Sequence, residues 1–121
     1  MSIQSDLYAH ISSDAGLTAL VSDRVYPVKA PQEPSYPLVS YSMISGQPQN
    51  TLDGTGSLNN SLFQFDVYAD TYAEALSVAD ALEAAMAVAS FTNSMQSRID
   101  ADFETSVEQY RIILDFSIWH L

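Results

Sequence analysis

FQFDVYADTYAEALSVADALEAAMAVAS, residues 63–90, decides how this chain folds. Phe63, Phe65, Val67 and Ala69 alternate with Gln64, Asp66 and Tyr68, the period of a strand with one apolar face. Thr71 stands three residues before Glu74, the spacing of a capping box that satisfies free N–H groups at a helix start. Tyr72, Ala75, Val78, Ala79, Leu82 and Met86 then share one helical stripe, with Ser77 and Asp80 away from it and Glu83 near its edge. Most of that stripe is small, which predicts a helix lying close against a sheet.

Outward from this unit, YRIILDFSIW (110–119) is the clearest strand. Tyr110, Ile112, Leu114, Phe116 and Ile118 form its apolar face; Arg111, Asp115 and Ser117 lie opposite, with Ile113 and Trp119 among them. Residues 90–105 are ambiguous, but Met95, Ile99, Ala101 and Phe103 allow a strand, with Asn93-Ser94 as the turn before it. On the N-terminal side, PLVSYSMISG places Val39, Tyr41 and Met43 on one face of a strand over about 38–45. Leu38 and Ile44 fall on its polar face. Gln47–Ser57 is polar and carries Asp53-Gly54, a turn signal, so it reads as a long mobile loop before a strand at about 58–69. Pro31, Pro34 and Pro37 make 28–37 a surface loop, and RVYP (24–27) a short extended segment before it. Ile3, Leu7 and Ile11, spaced by four, predict an N-terminal helix that Ser2 can cap and Gly16 interrupts. The expected fold is one α+β domain over 1–121. It has an antiparallel sheet of about four to five strands, with the long central helix and the N-terminal helix packed on one face.

Composition narrows the function classes. Fifteen acidic residues against four basic ones give a net charge of −11, unsuited to holding nucleic acid through its phosphates or to docking on anionic membranes. No segment reaches transmembrane length, and MSIQSDLYAH has neither the basic region nor the apolar run of a secretory leader. With no cysteine, disulfide and thiolate chemistry are excluded.

Catalytic patterns are nearly empty, and no cofactor is expected. Asp6, His10 and Asp14, spaced by four, would share a helix face as metal ligands could, but one histidine with two carboxylates on a short exposed helix reads as a solvated face. Asp100, Asp102 and Glu104 open like a calcium loop, yet Thr105 and Arg111 occupy its glycine and bidentate glutamate positions. Gly54 and Gly56 lack a third glycine and a following helix. The expectation is a non-enzyme. An outer sheet face mixing Ile113 and Trp119 with charged residues suits a contact surface, or one covered by a loop of the same chain.

Several stretches in order resemble the tail-completion, or tail-terminator, proteins of long-tailed phages and prophages. They are ALVSDRVYP (19–27), the proline-rich segment leading to PLVSYSMISG (37–46), TLDG (51–54), FDVYADTYAEALSVADALEAA (65–85) and YRIILDFSIW (110–119). The resemblance implies a structural virion subunit of the tail or neck, assembled in the bacterial host cytoplasm. It implies a homo-oligomeric ring, usually of six, that ends the tail tube and joins it to the head connector while DNA passes through. A ring of this kind pairs one face of a subunit with a different face of the next. Tyr68, Ile113 and Trp119 are the residues expected on one such face, and the loop holding Asp53 and Gly54 is the expected contact with tube or connector. Six copies at −11 each would carry −66, a charge that repels DNA phosphate rather than retaining it. Alternatives are an acidic DNA mimic that inhibits a basic partner, another neck or tail-tube ring subunit, and a hydrolase built on Asp6, His10 and Asp14.

Overall fold

Ile3, Leu7 and Ile11 are all buried along α1 (Ile3–Ser13), as their four-residue spacing predicts. The computed structural model describes residues 3–28, 31 and 32, 34–50, 57–104 and 109–120; at 47–50, 57 and 58, and 101–104 it describes the backbone alone. The expected cap Ser2 lies outside these residues. α1 ends at Ser13, ahead of the expected interruption at Gly16. The Asp14 side chain accepts from the Leu17 N–H at 3.0 Å and so caps a second helix, α2 (Ala15–Val21), which includes Gly16. An N-cap acceptor stabilises a helix by about 1 kcal/mol, roughly what one glycine costs it.

The chain then forms β1 (Val25–Pro27), β2 (Leu38–Asn50), β3 (Ser57–Ala69), α3 (Tyr72–Ala87), β4 (Thr92–Glu104) and β5 (Gln109–His120). These strands make one sheet in the order β1-β2-β3-β5-β4. The α+β class is as expected, but the sheet is mixed: β1 runs parallel to β2, with Val25 beside Val39, while the other three pairings are antiparallel. Val28 accounts for the difference. At φ 70° it turns the chain out of β1 while its N–H still donates to the Tyr41 carbonyl, so no hairpin forms.

The expected loop at Gln47–Ser57 is also shorter than its composition suggests. Gln47, Pro48, Gln49 and Asn50 pair with Asn60, Asn59, Leu58 and Ser57, extending the β2–β3 ribbon through polar residues. Backbone pairing needs no apolar side chain, so this extension leaves no period-2 pattern. β4 likewise begins at Thr92 and takes in Asn93 and Ser94, which read as a turn.

All three helices bury their apolar stripes in one cluster with the inner face of the sheet. Phe63, Phe65, Val67 and Ala69 meet Ile112, Leu114, Phe116 and Ile118 across β3 and β5, and Ala75, Val78, Ala79, Leu82 and Met86 of α3 cover them. Each large side chain here contributes about 1.5–3 kcal/mol through burial. Thr71 caps α3, its hydroxyl accepting from the Glu74 N–H at 3.1 Å. Three residues assigned to the core by period lie at its margin: Tyr72, Tyr110 and Met43 are 43%, 37% and 44% exposed. Tyr72 donates a hydrogen bond to Asp100, which raises the pKa of its phenol. Arg98 ties β4 to α3 by ion pairs to Asp80 and Glu83. Partial burial opposes its charge, but these two carboxylates more than compensate and raise its pKa.

Candidate assembly surface

Alternation along β3 and β5 sends every second side chain away from the helices. Cross-strand register arranges these into rows running from β2 to β4. One row is Leu38, Tyr68 and Arg111; the next is Ser40, Asp66, Ile113 and Ile99; the third is Ser42, Gln64, Asp115 and Ser97. Two more follow, Ser45, Leu62, Ser117 and Ser94, then Asn60, Trp119 and Thr92. The helix-packed core cluster contains no residue of this outer face.

The three candidate contact residues thus share one face. Tyr68 and Ile113 sit in adjacent rows, whereas Trp119 lies six residues along β5, about 20 Å away at the rise of an extended chain. Tyr68 and Ile113 are half-buried, and Trp119 is exposed. Asp53 and Gly54 lie outside the described residues. Both readings of the face hold, in different places. Leu38 and Ser40 are buried at the β2 end, so the subunit itself closes that corner. Ile99 at the β4 edge and Trp119 at the far row remain open to solvent.

Between these points the face is polar and internally bonded. Arg111 donates to Asp66 at 3.1 Å, and its guanidinium carbon stands 5.7 Å from the centre of the Tyr68 ring. Gln64 donates to the same Asp66 oxygen at 3.3 Å, Ser97 to Asp115 at 2.9 Å and Asn60 to Ser117 at 2.6 Å. Both Arg98 and Arg111 spend their charge within the subunit, and the sequence alone does not show this. It leaves most of the carboxylates uncompensated.

The metal reading of Asp6, His10 and Asp14 does not assemble. Asp14 caps α2, and His10 turns toward the end of α3, where Nε2 lies 2.6 Å from the Ala85 carbonyl and its ring meets Phe91 edge-on. Among the described residues no three His, Asp or Glu side chains are grouped to hold a metal. Ser61 Oγ and His120 Nε2 are 2.8 Å apart, a contact not apparent from the sequence. Ser61 is buried, however, so its hydroxyl is not presented to a substrate. An open groove of about 520 Å³ beside α1 and β1 is lined by Tyr8, Tyr26, Tyr41 and Asp23 among others. Burial, with a smaller effect from Tyr8, pushes the Tyr41 phenol up to about 12.

The sequence matches the family described as tail completion protein gp17 over residues 5–121. The chain belongs to that family. Its members are structural components of the phage tail, and this chain is a virion tail protein. The fold is similar to a chain of a solved virion of a native gene transfer agent particle, with a TM-score of 0.72 and 24% identity. That similarity covers 98% of this chain and 93% of the other. No curated protein matches the sequence.

Proposed function

We propose that this tail completion protein forms a ring, of six copies, at the head-proximal end of the tail, where it ends the tail tube and joins it to the head connector. Family membership over 5–121 carries this reading. The architecture is compatible with it: helices cover one side of the sheet, while the other side and both sheet edges retain surface for neighbours. On the outer face Tyr68, Ile113 and Trp119 contribute to those contacts, and Asp53 and Gly54 belong to the contact with tube or connector. With Arg98 and Arg111 ion-paired internally, a ring at −11 per copy presents a field that keeps DNA moving through it.

Deleting the gene from its phage or prophage and imaging the lysate tests the placement. Filled heads beside unjoined tails of irregular length are the expected products. Intact, infective particles would reject the proposal.

A further inference from the structure

Three-residue β1 places Val25 in the core, yet thirteen-residue β4 places none of its described side chains there. Thr92, Ser94, Met95, Gln96, Ile99 and Asp100 are exposed, and Asn93, Ser97 and Arg98 are half-buried. Met95 and Asp100 stand opposite Phe116 and Ile112 on the helix side of the sheet, and both still face solvent. Apolar burial is the main term that fixes an element in place. β4 is held by other means.

Those means are polar. Backbone pairing with β5 is interrupted by register shifts between Met95 and Ser97 and between Ala101 and Glu104. Ser97 donates to Asp115 at 2.9 Å. Toward α3, Arg98 pairs with Asp80 at 2.8 Å and with Glu83, and Tyr72 donates to Asp100. The Asp80 side chain is 69% exposed, and ion pairs this wet are weak and screened by salt. The start of the strand is held more firmly. Phe91 packs against the core cluster and meets the His10 ring edge-on, while Asn93 donates to the Met86 and Phe91 carbonyls at 3.0 and 3.1 Å. Residues 91–93 are therefore an anchor, and Arg98 is a latch farther along.

We infer that β4 is a strap that opens as one unit, hinged at 91–93 and latched by Arg98, while the other four strands and the helices stay folded. Elements with few buried apolar contacts and exposed backbone hydrogen bonds open at a fraction of the global unfolding free energy. The rest of the subunit keeps its core when this happens, because every residue of the buried cluster lies outside β4. Release bares the β5 edge and takes the cation away from Asp80 and Glu83, so an ion-paired flank of α3 becomes an acidic one. The opening is a property of the single subunit and needs no ring.

Hydrogen exchange of the full-length chain, read amide by amide by nuclear magnetic resonance, tests this. After correction for intrinsic rates, the bonded β4 amides should exchange at least about 100-fold faster than those of Phe63–Ala69. They should also share one shallow dependence on urea, because that slope follows the surface exposed on opening. Two substitutions separate strap from body. Ile11→Val weakens the core in α1, away from β4, and should speed exchange at Phe63–Ala69 about twofold to tenfold while leaving β4 unchanged. Arg98→Ala removes the latch and should speed β4 exchange about fivefold. Equal protection and equal urea slopes for β4 and β3 would overturn the inference by making β4 part of one cooperative unit. Exchange in β4 that responds to neither urea nor Arg98→Ala would also overturn it, since that is fraying residue by residue without a latch.

Discussion

Met43 and Phe63 are register partners on the inner face of the sheet, yet the structure gives them different environments. Phe63 is 1% exposed and Met43 44%. Phe63→Ala removes a fully buried ring and should cost about 3–5 kcal/mol in lost transfer energy and residual cavity. Met43 retains roughly half of the 1.5–3 kcal/mol that full burial of a methionine gives, so Met43→Ala should cost about 1 kcal/mol. At about 4 °C per kcal/mol for a chain of this size, the melting temperatures should fall by about 12–20 °C and about 4 °C. Urea unfolding followed by far-ultraviolet circular dichroism gives both values. Repeating it at two protein concentrations separates subunit stability from association. Equal losses for the two variants would refute the claim that the helix-covered core stops short of the Met43 end of β2.

Three other outcomes follow from local contacts. Thr71→Ala should lower stability by about 1 kcal/mol in the same assay, and Thr71→Ser should restore most of it, because the hydroxyl caps α3. Tyr41 titrates near 12 in the folded chain against 10 when unfolded, so the native state keeps a proton that the unfolded state releases in between. Its contribution is complete below pH 10 and is lost as pH rises toward about 12. Wild type should therefore lose stability more steeply than Tyr41→Phe across that window, and parallel curves would contradict the assignment. Trp119→Asp should leave the free subunit within about 0.5 kcal/mol of wild type, as surface changes usually do. Infective titre should nevertheless fall tenfold or more if this side chain lies between subunits, and an unchanged titre would remove it from the contact surface.

Much of the fold is legible wherever side-chain chemistry repeats with the backbone. The alternation at Phe63–Ala69 and Ile112–Ile118, the Thr71 cap and the Ile3, Leu7, Ile11 spacing each place an element where the structure has it. Legibility fails where the backbone pairs without that help. Three-residue β1 carries no signal of direction, so its parallel pairing with β2 depends on the turn at Val28. The ribbon at 47–50 and β4 at 92–104 are polar because they lie at or beyond the sheet's margin, and Gly46, Pro48 and Asn93-Ser94 read as breakers. The candidate surface is half legible. Alternation alone puts Tyr68, Ile113 and Trp119 on the outer face. Register is needed to see that Arg111 joins Asp66 and Tyr68 there.

The central claim concerns position in the particle. A short epitope inserted in the exposed 31–32 segment, labelled with a gold-conjugated antibody fragment, would mark the chain in purified virions by electron microscopy. Gold in a single cluster at the junction of head and tail, with none along the tube, is the result this account predicts. Gold spaced regularly along the whole tail would make the chain a tube subunit and contradict the account.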